Sequence, residues 1–251
     1  MADQREPAAV ALRRLANGYQ ISQALHVAVT LGIPDLLGDA PRGSDDLAAE
    51  TGAHPGSLYR LLRALAAVGV LREDEERTFT LTELGEGLRT DAPEGIGGWI
   101  AFVGRPSHWQ AWGDLLHSVR TGENAFRHVH GMDVWSYRAD RPEESAIFDG
   151  AMQALTRSSN AALMEAYDFG RFGTIVDVGG GNGTLLVIER ALGPPNEDLR
   201  TKLSDLNMLV AAGGRERTEE EFESLLAAAG FRLVGATPTA SGLSVIESAP
   251  D

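Results

Sequence analysis

The chain has 251 residues, enough for one large or two modest domains, and 43% of them are hydrophobic, so a sizeable core is available. A formal charge of −14 argues against a nucleic-acid backbone or an anionic membrane as main partner, and the absence of cysteine excludes disulfides, thiolate nucleophiles and Cys-ligated metal. The first residues, MADQREPAAVALRRLANGY, lack the apolar run of a signal peptide, and no stretch of about 18 apolar residues occurs; a soluble, cytoplasmic protein is expected. Residues 8–38 carry Leu12, Leu15, Tyr19, Ile21, Leu25, Val29 and Leu31 at helical spacing. "SDDLAAETG" is predicted as a helix capped by Ser44 and stopped by Gly52, and "HPGSLYRLLRALAAVGVL" as a second with Leu58, Leu61, Leu62, Leu65 and Val68 on one face. Two strand-like runs, Val70–Leu71 and Phe79–Leu81, flank the charged turn "REDEER". Helix, turn, helix and hairpin make a winged-helix unit. Residues 1–91 hold nine Arg and fourteen Asp/Glu, with only Arg60 and Arg63 on the second helix, so the winged-helix DNA-binding reading is disfavoured.

Residues 95–169 read as mostly helical, with Trp99, Phe102, Trp109, Trp112, Leu115 and Leu116 recurring at three and four. The ordinary reading of these aromatic residues is core packing; lining an aromatic substrate pocket is the alternative. "PEESAIFDGAMQALTRSSNAALMEAYDF" is one long helix or a pair. From residue 172 the texture changes. "TIVDVGGGNG" reads as a strand and a glycine turn, with strands expected at 174–178, 231–237 and 243–247. "RTEEEFESLLAAAGF" is a helix with Thr218 as cap, Glu221 completing a capping box and Gly230 as stop.

In Asp177-x-Gly179-x-Gly181-x-Gly183 the glycines permit positive φ and close backbone approach to a ligand, at the end of a strand where α/β sheets bind nucleotides. The spacing is not the G-x-G-x-x-G of a pyrophosphate cradle, and an acid two positions before the first glycine suits a cationic or amine-bearing ligand. A tight structural loop is the plain alternative. "LLVIERALG" then follows with no room for a crossover. As a strand it cannot pair parallel with 175–178. As a helix it has Thr184 as cap, an apolar face of Leu185, Leu186, Ile188, Ala191 and Leu192, and a Gly193-Pro194-Pro195 stop; the helix is the preferred reading.

The segments "QALHVAVTLGIPDLL", "LYRLLRALAAVGVL", "FTLTELGEGL", "VDVGGGNG", "KLSDLNMLV", "GGRERTEEEFESLLAAAGFRLVGATPT" and "LSVIE", in this order along nearly the whole chain, resemble the S-adenosylmethionine-dependent O-methyltransferases of the acetylserotonin and caffeic-acid type, and in particular bacterial members that decorate aromatic polyketides. The resemblance implies an α/β protein: a mostly helical, winged-helix dimerisation region, then a Rossmann-like methyltransferase domain. It implies boundaries at 1–91 (dimerisation), 92–171 (helical linker and substrate pocket) and 172–251 (cofactor domain). It implies a homodimer, S-adenosyl-L-methionine as cofactor, a small aromatic hydroxyl compound as substrate, and no metal. By resemblance Asp177, Gly179, Gly181 and Gly183 bind the cofactor, and Glu189 and Glu216 match two glutamates that flank a catalytic histidine in plant relatives.

The family pattern continues after its glycine turn with a helix, a second strand ending in a ribose-binding acid, and a segment bearing the catalytic histidine. None of these is in the chain; all six histidines precede residue 131. A βαβ unit takes about 30 residues, so a six-stranded doubly wound domain needs roughly 150, whereas Gly173 to Asp251 is 79 residues. The expectation is therefore a truncated cofactor domain with an internal block missing between Thr184 and Leu185. Glu197 and Asp198 lie where a ribose-binding acid belongs, but by resemblance they follow a later strand, so the coincidence is read as accidental. Two functions remain: a methyltransferase impaired by the loss, and a non-catalytic dimerising remnant.

Overall fold

The computed structural model describes residues 6–38, 40–175 and 184–251. The chain divides into two units: 1–109 with 142–155, and 110–141 with 156–251.

The first unit opens with α1 (Ala8–Ala16), α2 (Gly18–Thr30) and α3 (Ile33–Leu37). α1 buries none of its residues, and Leu12, Leu15 and Tyr19 are exposed. Strand β1 (Arg42–Gly43) leads into α4 (Ser44–Thr51) and α5 (Pro55–Ala67), followed by β2 (Leu71–Glu73) and β3 (Thr78–Leu81). The winged helix forms as expected, with strand order β1-β3-β2, all antiparallel. Strand β1 was not foreseen; at two residues it carries no periodic signal. Ser44 is the first helical residue rather than the cap, which is Gly43, while Gly52 stops α4 in the left-handed conformation. The Asp74 carboxylate accepts the Glu76 and Thr78 N–H groups and shapes the wing turn. Leu47, Leu58, Leu62, Leu65 and Phe79 are buried together with Leu61 packed beside them, so most of the apolar face read on α5 packs, while Val68, just past the helix, is exposed. Then come α6 (Glu83–Glu86), α7 (Gly97–Val103) and α8 (Pro106–Gly113). Gly104 has a definite reason to be glycine, because a Cβ there would stand 2.0 Å from the His26 ring.

In the second unit α9 (Leu115–Thr121), α10 (Ala125–His130) and α11 (Val134–Ala139) surround a small core of Ala111, Ala125, Phe126, Val134 and Val210. One long helix, α12 (Pro142–Ala166), is divided between the units. The Tyr167 hydroxyl donates to the Glu247 carboxylate at 2.8 Å, and Arg171 pairs with the same carboxylate, which it holds below the usual range. Strand β4 (Leu185–Glu189) is followed by α13 (Leu199–Asn207), α14 (Glu219–Ala228), β5 (Phe231–Pro238) and β6 (Ser244–Pro250). The Thr218–Glu221 capping box of α14 forms as expected.

Residues 185–189 are a strand, which corrects the helix expected there. β6 offers a continuous partner, and Leu185, Leu186, Val187, Ile188 and Glu189 pair antiparallel with Ser248, Glu247, Ile246, Val245 and Ser244. This ladder, with β-branched Val187 and Ile188 favouring the pleat, overrides the local helix pattern. The sheet order is β4-β6-β5, with β4 at an edge. Of the strand expected at 174–178, Thr174 and Ile175 are not in a strand and the remainder lies outside the described residues. The C-terminal segment thus forms a short antiparallel sheet packed against Phe222 and Leu226 of α14. No helix among the described residues is long and apolar enough to cross a membrane.

Candidate functional site

The four residues expected to bind the cofactor, Asp177, Gly179, Gly181 and Gly183, lie outside the described residues. The two acids, Glu189 and Glu216, are brought together. Glu189 ends β4, and Glu216 lies on the loop before α14. Both line a cleft of about 630 Å³ with Val187, Met208, Arg215 and Phe222.

Local chemistry sets this arrangement. The Leu192 N–H donates to the Arg217 carbonyl at 2.8 Å, and Ala191 bridges Arg217 in parallel, so the chain leaving β4 runs beside the "GGRER" loop. From α13, the Ser204 hydroxyl donates to the Glu216 carboxylate at 2.7 Å, and the Glu216 N–H donates to Asp205 at 2.9 Å. Ser204 and Asp205 were missed as site residues. Their only signal was their place in "KLSDLNMLV", where the sequence does not say what they hold. After α13 the helix widens into a single π turn, Met208–Ala212, a form often found beside functional sites. Its Leu209 carbonyl is satisfied by the Asn124 amide at 2.8 Å, and Gly213 ends it at φ 78°. Asp198 is accounted for structurally: its side chain caps α13 by accepting the Thr201 N–H at 3.2 Å, and the Thr201 side chain, followed by this N–H, lowers its pKa.

S-adenosylmethionine carries a sulfonium and an adenosine. Among the described residues no acid follows a second parallel strand, because the sheet is antiparallel. The buried donor left without a partner beside Glu189 is Nη1 of Arg190, a cation of the sulfonium's own sign. The described residues alone do not make a site for this cofactor.

Partial desolvation of its carboxyl at the cleft raises the Glu189 pKa, though the residue stands at the exposed end of β4, and the neighbouring Glu216 charge adds to the rise. A carboxyl whose folded pKa lies above its unfolded one binds more protons when folded, so stability falls as pH rises between the two values. The penalty is absent below the ordinary glutamate range and complete above the raised value. Glu189→Gln is expected to raise the melting temperature at neutral pH and to leave it unchanged at pH 3. An unchanged melting temperature at neutral pH would contradict the raised pKa of this acid.

Comparison with known proteins agrees with the fold. The O-methyltransferase dimerisation domain matches residues 13–91, and the O-methyltransferase domain matches in two pieces, 112–192 and 182–232, which overlap over 182–192, a stretch that includes all of β4. A phenazine O-methyltransferase of Lysobacter antibioticus is 30% identical, covering 97% of each chain over 331 aligned positions; since this chain has 251 residues, the relative contains positions with no counterpart here. The chain spans about half the length of other curated relatives: the O-demethylpuromycin-O-methyltransferase of Streptomyces alboniger is 44% identical over 173 residues, 67% of this chain and 45% of that one. Among solved structures, LaPhzM superposes with a TM-score of 0.89 at 30% identity, covering 98% of this chain and all of that one. Human N-acetylserotonin methyltransferase, solved in complex with SAM, shares the fold at a TM-score of 0.86 and 21% identity, covering 100% of this chain and 99% of its own. The chain belongs to the O-methyltransferase family that carries an N-terminal dimerisation domain.

Proposed function

We propose that the chain is an S-adenosylmethionine-dependent O-methyltransferase for a hydroxyl of a small aromatic, polyketide-like molecule, working as a homodimer, and that its methyl transfer is weakened by the missing middle of its cofactor domain. The observation that carries this is the two-piece family match. Its pieces overlap over 182–192, the stretch that contains β4. The named relatives act on phenazines, on O-demethylpuromycin and, in Streptomyces carzinostaticus, on a dihydroxynaphthoate, which supports an aromatic acceptor. Asp177, Gly179, Gly181 and Gly183 are the residues assigned to the cofactor. Glu189 and Glu216 are assigned to the reacting end of the site. With no histidine after His130, Glu189 has no imidazole to orient from the C-terminal segment. Its raised pKa makes its carboxylate a better acceptor for a phenolic proton than an ordinary glutamate.

The dimer reading rests on α1, whose apolar side chains lie on the surface: Leu12 is 65% and Leu15 69% exposed. Sedimentation of the full chain at micromolar concentration is expected to give a dimer, and Leu12→Glu with Leu15→Glu a monomer; a monomer in the unchanged chain would overturn the homodimer.

Calorimetric titration with S-adenosylmethionine is expected to give binding weaker than micromolar, and transfer of a labelled methyl group to simple phenols is expected to be slow and abolished by Asp177→Ala. Tight micromolar binding would overturn the weakened site. Transfer that is insensitive to Asp177→Ala and Gly181→Val would overturn the assignment of the cofactor residues.

A further inference from the structure

The short helices α9 and α10 bring two imidazoles and two carboxylates together in a group that the methyltransferase reading does not use. Asp114 stands immediately before α9, and His117 lies three residues on, so both face the same side of that helix. His128 sits on α10, across the three-residue connection Gly122–Asn124. Donor atoms of Asp114, His117 and His128 all lie within 4.8 Å of one another. The Asp114 carboxylate meets His128 Nδ1 at 2.7 Å, and Glu123 meets His117 Nε2 at 3.2 Å. The two rings stack, with centroids 3.7 Å apart and planes 8° from parallel.

The backbone under this group is firmly built. Gly122 ends α9 in the left-handed conformation, and the Thr121 hydroxyl accepts the Glu123 N–H at 3.1 Å. Asn124 caps α10 by accepting the Arg127 N–H at 2.9 Å, while its amide donates to Leu209. Side chains can therefore adjust on a fixed frame. His128, with 53% of its side chain exposed, has room to turn.

We propose that Asp114, His117 and His128 bind one divalent transition-metal ion of the zinc, cobalt or nickel kind, with Glu123 as supporting carboxylate, and that the ion clips α9 to α10. Two imidazoles among the donors select such ions over magnesium or calcium, which take oxygen ligands. Zinc–nitrogen and zinc–oxygen bonds of about 2.0–2.1 Å place neighbouring ligand atoms roughly 3.3 Å apart. The cluster reaches that spacing by side-chain contraction together with a rotation of the His128 ring. Ring lone pairs lie in the ring plane, so the stacked rings cannot both point at one ion; the His128 ring turns out of the stack on binding. A carboxylate on the far nitrogen of a ligating histidine is the usual means of fixing its orientation, and Glu123 is placed to do this for His117. None of the four residues lines the Glu189–Glu216 cleft.

The test uses the tag-free full chain, stripped with chelator and titrated with Co²⁺ and Zn²⁺. One equivalent is expected to bind saturably. His117→Ala and His128→Ala are each expected to weaken binding about tenfold or more, with Glu123→Gln weakening it less. Zinc is expected to raise the melting temperature of the unchanged chain but not of the double histidine variant, because an ion that binds only the folded state stabilises it. On the unchanged chain, the imidazole NMR signals of His117 and His128 are expected to be the first that Co²⁺ broadens, a readout that needs no variant to fold. Absence of a saturable equivalent in the unchanged chain, equal binding by the histidine variants, or first broadening at other histidines would overturn the site.

Discussion

Five residue pairs join Leu185–Glu189 to the last strand, and the arrangement of the C-terminal sheet depends on them. This ladder sets Leu185 and Val187 against Phe222 and Ile246. It puts Glu189 at the end of the strand, beside the loop that carries Glu216. Without it, neither the small sheet nor the cleft would have a wall on this side. The ladder also lies where the match to the family breaks into two overlapping pieces, over 182–192. A strand that is hydrophobic on both faces belongs in the interior of a parallel sheet. Here β4 stands at an edge, with Ile188 38% exposed. An unpaired edge of this kind is a liability that native folds normally cover.

The electrostatics follow from the same geometry. Desolvation of its carboxyl at the cleft raises the Glu189 pKa, and the Glu216 charge beside it adds to the rise. Glu216 is itself held in place, its carboxylate accepting from the Ser204 hydroxyl and its backbone N–H donating to Asp205. Elsewhere in the unit charge is handled differently: Arg171 and Tyr167 converge on Glu247, whose pKa is lowered as a result. The contrast singles out Glu189 as a perturbed carboxyl at a cleft, the kind of group that collects in functional sites.

Much of the fold was legible in the sequence, for physical reasons that differ by element. The winged helix announced itself through the spacing of Leu58, Leu62 and Leu65 and the charged wing turn, and α14 through the Thr218–Glu221 box; these signals are local, and the structure obeys them. Residues 185–189 were misread because their local pattern fits a helix, while the force that decides is a ladder to residues about sixty positions later. Asp198 stands where spacing alone puts a ribose ligand, and the structure gives it a cap to make instead. The acids Glu189 and Glu216 came from resemblance, and their common cleft depends on the contacts around Arg217 and Ser204, which no sequence period encodes. The cluster of Asp114, His117 and His128 was passed over because its members lie on two helices, and only folding brings them within reach.

The central claim is that β4 is an interior strand displaced to an edge by the loss of a contiguous block. Inserting the corresponding block of a full-length relative, roughly 90 residues or about three βαβ units, between Thr184 and Leu185 tests it most directly. With the block in place β4 gains a neighbour on its open edge, and Glu189 comes to the end of a strand inside a wound sheet, where such folds bind their ligands. The account predicts that the restored chain melts at a higher temperature, binds less hydrophobic dye and methylates a phenol with S-adenosylmethionine many times faster than the shorter chain. If both chains melt together, bind equally little dye and transfer methyl at the same rate, the account is wrong.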